Sequence, residues 1–459
     1  MVNGLQAALA AFFDFKAYVI LPVFMLVLAL AARMRLKEAL LASIKIGAGF
    51  SGVFIVFGFF VSQISPAIEA VITVRGLYYP VADVGWPPLA AITWSSPLTP
   101  LLIPLVMVLN LAMVATRSTK TLYIDLWNYW HFALMGVLVQ NVSGSLLLGI
   151  ASSLLIALLT IKTAEWSAPY VRREMGLEGL AISPLSVAAL LPYAVALNRA
   201  FDAVPGLRRL SWDPSRRGAK GTRPQLLQEP MVIGILVGAS LSWLAGYDLK
   251  GLLETSINIA AVMFLLPRCG ALIGEGMGAV SLAFKLLVEK RFRYLSGLSI
   301  AVDTGILMTN PSVIATGLIL IPLSLFIALL LPGNRVLPLG DLPNLISIMS
   351  LCTLVMGGNV LRSVLAGIPV VASFLLIASD MASLYTSQAA AAGIVLDLGG
   401  RQITAFTDGG NQLRYWIYWL FQGNAAALAA IPVVVALLWF AGRENKKMLG
   451  LQKPEDLVG

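Results

Sequence analysis

Long, uninterrupted apolar runs recur throughout this chain and restrict it to one class of fold. A helix needs roughly 20 consecutive apolar residues to cross the hydrocarbon core of a bilayer, and several runs approach or exceed that length. Of the 459 residues, 58% are hydrophobic and only 12% are charged, which lies outside the range of soluble domains. The runs do not alternate as the strands of a membrane barrel do. The sequence therefore predicts an all-α polytopic membrane protein, with apolar runs that include residues 17–32, 44–61, 98–115, 313–331 and 415–440.

Polar phrases beside these runs occur twice, in the same order. The pair Asp125 and Asn128 recurs as Asp341 and Asn344, 216 positions later. Several echoes at a similar offset indicate an internal duplication. Duplicated halves with polar residues in broken hydrophobic segments are typical of secondary transporters, which bind substrate at the repeat interface near mid-membrane. The further echoes pair Asp83-Val84-Gly85 with Asp303-Thr304-Gly305, Ile103-Pro104-Leu105 with Ile321-Pro322-Leu323, and, more weakly, residues 46–61 with 257–273.

Basic residues collect at the ends of the apolar runs and therefore indicate membrane topology. Cytoplasmic loops of membrane proteins are enriched in Lys and Arg, which accounts for the net charge of +9. Placing the basic clusters inside predicts about eleven crossings, five per repeat plus one, with the amino terminus outside and the carboxyl terminus in the cytoplasm. Because five is odd, the second repeat should be inverted relative to the first. The clusters are residues 33–37, 117–120, 172–173, 208–223, 285–293 and 443–447.

Two apolar stretches fit re-entrant hairpins better than crossings. Pro184 and Pro192 interrupt the first, near residues 176–198, and proline breaks a helix interior. The second lies near residues 396–411. The predicted organisation is a first repeat over residues 1–200, a cytoplasmic basic loop over 201–230, a second repeat over 231–412, and a last transmembrane helix with a cytoplasmic tail over 413–459.

His131 is the only histidine in the sequence, and it lies at the start of a predicted crossing. A neutral imidazole there can exchange hydrogen bonds with a sugar hydroxyl or relay a proton. The alternative is an interfacial histidine in an aromatic belt with Trp127, Tyr129 and Trp130. In the repeat alignment Ser347 takes the equivalent position, and this asymmetry suggests one substrate site instead of two.

Three acids, Asp83, Asp303 and Asp408, lie in glycine-flanked breaks between apolar stretches. Carboxylates accept strong hydrogen bonds from hydroxyl groups, and a charge at membrane depth costs roughly 2.5 to 3.5 kcal/mol, so it should have a function. If the breaks stand in water, these acids are ordinary loop residues. Asp and Asn can also cap helices by accepting hydrogen bonds from first-turn amides. This alternative applies to Asp125, Asn128, Asp341 and Asn344, and it is favoured for the two acids.

No motif marks a self-contained enzyme. The segment Gly47-Ala48-Gly49-Phe50-Ser51-Gly52 matches a dinucleotide fingerprint, but no strand precedes it and it lies in an apolar crossing. Helix packing through small residues explains it better. Cys269 and Cys352 lie in or beside apolar segments, as packing residues do, and we expect no cofactor and no metal. An enzyme acting within the membrane is the weaker alternative, because it needs a nucleophile or a metal set.

Six short motifs are spread over about residues 15–445. They are Val81-Ala82-Asp83-Val84-Gly85-Trp86-Pro87, Asp125-Leu126-Trp127-Asn128 with Trp130-His131, Leu177-Glu178-Gly179, Gly246-Tyr247-Asp248-Leu249-Lys250-Gly251, Pro332-Gly333-Asn334 with Val336-Leu337-Pro338, and Gly340-Asp341-Leu342. Together they resemble the IIC component of the galactitol phosphotransferase system, which is distantly similar to the ascorbate IIC proteins.

This resemblance implies a sugar-transporting homodimer with a mobile core domain and a V-shaped dimerisation domain, working by an elevator-type motion. In such a system a separate IIB subunit carries a phosphocysteine and phosphorylates the sugar as it is released inside. IIA acts through IIB, and neither is expected to be fused to this chain. The implied partners are a sugar or polyol, IIB, membrane lipid and a second copy of the chain, with no nucleic acid.

The resemblance also places His131 where the wider family has a substrate-adjacent histidine, and Asp83 and Asp408 in or near the two-domain cleft. The chain departs from the family pattern at residues 182–186 and 309–311, where histidines are expected and none occurs, so a substrate other than galactitol is left open. A phosphorylation-independent facilitator, or an ion-coupled symporter with Asp303 or Asp408 as the ion site, is the alternative. The predicted substrate-binding residues are Asp83, Asn128, His131, Asp303, Asn344 and Asp408.

Overall fold

The computed structural model describes residues 17–76, 78–209, 211–215, 230–291, 297–394 and 398–451. Within these residues the chain is mostly helical, as the apolar runs predict. Parts of the predicted basic loop, of the cluster at 285–293, of the hairpin at 396–411 and of both termini lie outside the described residues.

The helices follow the apolar runs, and polar turns or short strands connect them. In the first half the helices are α1 (Ala17–Ala31), α2 (Leu36–Arg75), α3 (Trp86–Ser95), α4 (Thr99–Ala115), α5 (Trp130–Ser143), α6 (Leu146–Met175), α7 (Leu185–Ala188), α8 (Leu191–Ala203) and α9 (Pro205–Arg208). In the second half they are α10 (Pro230–Leu244), α11 (Leu249–Arg291), α12 (Pro311–Leu330), α13 (Asn344–Val355), α14 (Val360–Ala391), α15 (Gln412–Phe421), α16 (Ala425–Ala429) and α17 (Ile431–Leu451). Two 3₁₀ segments, Leu126–Tyr129 and Thr304–Thr309, precede α5 and α12.

Among the described residues, four helical segments are long and apolar enough to cross a membrane. They are α6, α12, α14 and the segment Ala425–Gly450, which contains α16 and most of α17. Shorter apolar helices occupy Thr99–Ala115, Gly234–Leu244 and Asn344–Val355. The chain is therefore a multi-pass membrane protein, and the count of about eleven crossings stays a prediction from the charge pattern.

Two predicted segments have different limits in the structure. The sequence also predicts a crossing near residues 124–140, but its α-helix begins only at Trp130, because a 3₁₀ turn precedes it. The apolar run at 415–440 is interrupted after α15, where the Asn424 side chain accepts hydrogen bonds from the Ala426 and Ala427 amides at 2.9 and 3.1 Å. Asparagine in this position starts a new helix, so the run forms separate helices.

The two longest helices, α2 and α11, pack against each other through small residues. A Cβ atom added to Gly52 would lie 2.7 Å from the Cys269 Sγ, and one added to Gly276 would lie 2.5 Å from the Ala42 carbonyl oxygen. Gly52 belongs to the fingerprint-like glycine segment, whose interpretation as a helix-packing motif is confirmed. Cys269 and Cys352 are free thiols, and each packs against apolar neighbours, as predicted.

Replacing Gly276 with alanine is expected to destabilise the protein, whereas replacing Gly278 is not. The methyl group at 276 would meet the backbone of α2, and forcing an extra methyl into a packed contact costs about 1–3 kcal/mol. Gly278 has no heavy atom within 4 Å of an added Cβ, so alanine there improves helix propensity by roughly 0.8–1 kcal/mol. Thermal unfolding of the detergent-solubilised variants measures the difference, and equal melting temperatures would contradict this close packing.

Two small parallel sheets join the halves of the chain. In sheet 1, β1 (Val81–Asp83) lies between β5 (Val336–Leu337) and β6 (Gln402–Thr404). In sheet 2, β4 (Ser299–Val302) lies between β2 (Thr121–Tyr123) and β3 (Leu180–Ile182). The register places Ala82 opposite Leu337 and Ile403, and Ala301 opposite Tyr123 and Ala181.

Each sheet therefore takes its central strand from one half of the sequence and both edge strands from the other half. The sequence analysis did not predict these strands, because two to four residues are too few to show an alternating pattern. β3 and β6 lie inside the two segments predicted as hairpins. The segments that follow parallel strands leave from the same edge of a sheet, and in open sheets this edge is where ligands bind. Each sheet thus gathers polar loops from both halves.

Candidate functional site

Asp83, the last residue of β1, holds together the loops at the edge of sheet 1. Its Oδ1 accepts hydrogen bonds from the amides of Gly85 and Phe406, and its Oδ2 from those of Leu339 and Asp341, at 2.7 to 3.2 Å. A carboxylate can accept about four hydrogen bonds, so the four backbone amides use the whole acceptor capacity of Asp83. The structure therefore gives this residue a positioning role within the sheet edge.

Asp341 links the same loops across the two halves. Its Oδ1 accepts a hydrogen bond from the Trp86 amide at 2.9 Å, at the first turn of α3. Its Oδ2 accepts from the hydroxyl and the amide of Thr407 at 2.9 and 3.3 Å. Asp341 thus accepts a hydrogen bond from a first-turn amide, but of a helix in the other half of the chain, and the helix that follows it, α13, has no side-chain cap.

His131, the second residue of α5, is buried beside residues of the second half. It is 3% exposed and its ring stacks on that of Trp130, with centroids 3.9 Å apart. The Arg414 Nη2 lies 3.0 Å from His131 Nδ1, and the Asp408 Oδ1 lies 3.9 Å from the same nitrogen. Because a guanidinium only donates, Nδ1 accepts this bond and the neutral ring carries its proton on Nε2. Burial of both rings disagrees with the aromatic-belt alternative.

Arg414 is the site residue that the sequence analysis missed. It lies in the first turn of α15, where its amide donates to the Asn411 side chain at 2.9 Å. Its side chain is 1% exposed, its Nη1 donates to the carbonyl oxygen of Asp408, and its Cζ lies 5.9 Å from the Trp130 ring centre. A lone arginine directly before an aromatic apolar stretch was the signal in the sequence, since a charge in such a stretch needs a partner.

Three buried polar atoms near His131 form no hydrogen bond within the described residues. They are one acceptor, Asp408 Oδ1, and two donors, Arg414 Nε and Asn411 Nδ2. Asn344 borders them and donates to Asp408 Oδ2 at 3.4 Å. An unpaired buried donor or acceptor costs about 1–3 kcal/mol. A hydroxyl both donates and accepts, so a polyhydroxy ligand is chemically suited to all three. We call His131, Asn344, Asp408, Asn411 and Arg414 the His131 cluster.

A second polar cluster lies at the corresponding edge of sheet 2. The Asn128 Nδ2 donates to Asp125 Oδ2 at 2.6 Å and to Asp303 Oδ2 at 3.3 Å. Ser183, which follows β3, donates to Asp125 Oδ2 at 2.5 Å. Asp303 is half-buried and caps the 3₁₀ segment by accepting from the Gly305 amide at 3.0 Å. Of the predicted site residues, Asn128 and Asp303 thus meet here, in what we call the sheet 2 cluster.

Short helical spacings connect the two clusters. Asn128 and His131 are three positions apart, which makes them neighbours on a helical surface. In the second half Asn344 and Ser347 have the same spacing, and the Ser347 hydroxyl lies 2.6 Å from Thr304 Oγ1, next to Asp303. The structure therefore brings five of the six predicted residues into two adjacent clusters, while Asp83 is engaged by backbone amides.

The fold is that of a multi-pass membrane protein, and the His131 cluster is a buried polar site suited to a hydroxyl-bearing ligand. Comparison with protein families narrows this class, because the model of the PTS system sugar-specific permease component, EIIC-GAT, matches residues 11–399. The chain belongs to this family. It is a transport component and not an enzyme, since phosphorylation in this system occurs on other subunits. The resemblance proposed from the sequence motifs is confirmed.

Relatives over nearly the whole length agree with this assignment. The chain is 32% identical over 416 residues to the galactitol-specific EIIC component of Escherichia coli strain K12, covering 89% of both chains. The corresponding protein of strain O157:H7 gives the same values. Another K12 protein, with the provisional name of permease IIC component, is 32% identical over 423 residues, covering 92% of this chain and 96% of the relative.

Proposed function

We propose that this permease imports a polyol or sugar, with galactitol as one candidate, across the bacterial inner membrane, and that a separate IIB subunit phosphorylates the substrate on its release inside. The observation that carries the proposal is the set of buried unpaired atoms in the His131 cluster, which hydroxyl groups can satisfy. Family membership supports the coupling to IIB. Transport runs one way if phosphorylation weakens binding of the substrate to the inward-facing state. A substrate that bound the outward- and inward-facing states with equal affinity would not couple phosphorylation to transport.

In this proposal the substrate contacts His131, Asn344 and Asp408, which the sequence analysis named, and also Arg414, which it did not name. The Nε2 of His131 and the Nε of Arg414 donate to hydroxyl oxygens, and Asp408 Oδ1 accepts from a hydroxyl group. Two donors and one acceptor in a buried site discriminate strongly, because a ligand lacking a hydroxyl leaves a buried group unpaired. The remaining predicted residues, Asn128, Asp303 and Asp83, position this cluster from the neighbouring turn and from sheet 1.

The proposed motion is an elevator-type displacement of a core domain that contains both sheets and the His131 cluster. The long paired helices α2 and α11, which also contact α1 and α10, supply the V-shaped dimerisation domain of a homodimer. The sharing of strands between halves supports an inverted duplication, in which the substrate site lies at the repeat interface. The charge pattern supports an outside amino terminus and a cytoplasmic carboxyl terminus.

Uptake measurements test the proposal directly. Labelled galactitol and a panel of hexitols, pentitols and sugars are offered to cells that express this chain with or without its cognate IIB, and phosphorylated product is scored inside. We expect accumulation as the phosphate only when IIB is present. Uptake of unmodified substrate without IIB would overturn the proposal in favour of a facilitator.

Replacing His131 with alanine is expected to reduce uptake by roughly tenfold or more, since a lost hydrogen bond to a buried polar group costs about 1–3 kcal/mol. His131→Asn is the matched variant, because its side-chain oxygen can still accept from Arg414 while the Nε2 donor is lost. Both variants should accumulate in the membrane and lose uptake, whereas Tyr78→Phe, on a side chain that is exposed, should not. A normal KM and rate in His131→Ala would contradict the assignment.

A further inference from the structure

The chain contains two acid pairs, and their charges are compensated very differently. In the pair of Asp83 and Asp341, all four carboxylate oxygens accept hydrogen bonds from amides or a hydroxyl. In the pair of Asp125 and Asp303, Asn128 Nδ2 is shared between the two carboxyl groups. Ser183 also donates to Asp125 Oδ2, and the Gly305 amide and the Thr304 hydroxyl donate to Asp303 Oδ1. Asp125 Oδ1 is buried and has no hydrogen-bond partner within the described residues. The second pair therefore differs from the first in one buried carboxyl oxygen that has no donor.

Among the described residues, the groups that face Asp125 supply no positive charge. Its titratable neighbours are Asp303 beyond β4, Tyr123 on β2 and Tyr129 in the 3₁₀ segment, and Ser183 and Asn128 are neutral donors. Two adjacent carboxylates away from water repel each other, which disfavours ionisation of both. A buried oxygen without a hydrogen-bond partner also costs less free energy in a neutral carboxyl group than in a carboxylate.

We infer that the Asp125–Asp303 pair is a proton-binding site, in which the buried Asp125 carboxyl holds one proton taken from water. An O–H bond forms on Asp125 when the proton binds, and the proton returns to water when it leaves. Asp125 is 3% exposed, whereas Asp303 is half-buried, so Asp303 is the more accessible member of the pair. This site goes beyond the proposed sugar permease function and does not depend on it.

The direction of the pKa shift agrees with this geometry. Asp125 lies in the loop between β2 and α5, outside the spanning helices, and burial together with the charge of Asp303 raises the pKa of its carboxyl to about 7. As the pH rises through this value, Asp125 loses its proton and the pair gains one negative charge. The extra repulsion acts between β2 of the first half and β4 of the second, which pair in sheet 2. Because Asn128 lies one turn before His131, the proton can also affect the substrate cluster.

Infrared difference spectroscopy of the purified full-length protein, titrated through neutral pH, tests the site without any transport measurement. We expect a protonated-carboxyl carbonyl band that disappears as the pH rises, with a midpoint near neutrality. Asp125→Asn should remove this band, and Asp303→Asn should shift its midpoint to lower pH, since the repelling charge is gone. Asp380→Asn, at an exposed acid on α14, should leave the band unchanged.

Two results would overturn the inference. One is the absence of a titrating band in the unmodified protein, and the other is a band that persists in Asp125→Asn. If Asp125→Asn fails to fold, the Asp303→Asn midpoint decides alone, and an unshifted midpoint would count against the pair. The infrared result can be interpreted even if the transport experiments show no sugar uptake, because the band is measured in the absence of substrate.

Discussion

Replacing Arg414 with methionine is expected to reduce uptake of the transported sugar or polyol by roughly a hundredfold or more. Methionine retains an apolar stem but no charge, so the Asp408 carboxyl loses a nearby positive charge, and the Asp408 carbonyl oxygen and His131 Nδ1 both lose their donor. Each buried polar group left without its hydrogen-bond partner costs about 1–3 kcal/mol, and more when a charge is involved. Uptake of labelled substrate, normalised to the amount of monodisperse protein in the membrane, measures this loss.

The variant Arg414→Lys separates the role of charge from that of geometry. Lysine keeps the positive charge but not the planar fork, which in Arg414 reaches both His131 Nδ1 and the Asp408 carbonyl oxygen. We therefore expect an intermediate loss of uptake, roughly tenfold, with a raised KM. Arg443→Met, at an exposed arginine on α17, is the control and should transport normally. Uptake at the wild-type rate in both Arg414 variants would contradict the role of this residue.

Replacing Asp83 with asparagine is expected to lower sharply the amount of folded protein. One carboxylate oxygen becomes an amide nitrogen, which cannot accept, so two of the amides of Gly85, Leu339, Asp341 and Phe406 lose their acceptor. These four residues are buried, and each unmet donor costs about 1–3 kcal/mol. Size-exclusion chromatography of detergent-solubilised protein, followed by fluorescence, measures the folded fraction.

Asp303→Asn is the matched control, since Asp303 precedes Thr304-Gly305 as Asp83 precedes Val84-Gly85. Asp303 accepts one backbone hydrogen bond, from the Gly305 amide, and the oxygen of asparagine can retain it. Its new amide nitrogen can donate toward Asp125, which is short of donors. The fold should therefore survive this substitution. Equal losses of folded protein in the two variants would show that the four hydrogen bonds to Asp83 do not stabilise the fold more than the hydrogen bonds to Asp303 do.

Helix positions were largely predictable, because they depend on local composition. The runs at 98–115 and 313–331 coincide closely with α4 (Thr99–Ala115) and α12 (Pro311–Leu330), since a contiguous apolar segment is what a lipid environment requires. The family was also predictable from short motifs, and the match over residues 11–399 confirms it. Helix-capping residues inside an apolar run, such as Asn424, were not predicted, because one polar residue changes the mean hydropathy of a run very little.

The sheets and the partners of the site residues were not predictable in the same way. β5 contains two residues, and no periodicity can be read from so short a strand. Arg414 and His131 are 283 positions apart, and no local pattern relates them. His131 was chosen as a candidate because it is unique, but the sequence left open whether it lies at the membrane surface or in a buried cluster.

By itself, the sequence determined the membrane class, the permease family and the polar residues that deserved testing, because hydropathy and motifs are local properties. Only the tertiary structure decided what those residues do. Glycine stands two positions after both Asp83 and Asp303. The Asp83 carboxylate accepts hydrogen bonds from four backbone amides, whereas Asp303 shares the side-chain amide of Asn128 with the buried Asp125. The difference arises because hydrogen-bond donors come from distant segments, which meet only when the two halves exchange strands in the parallel sheets.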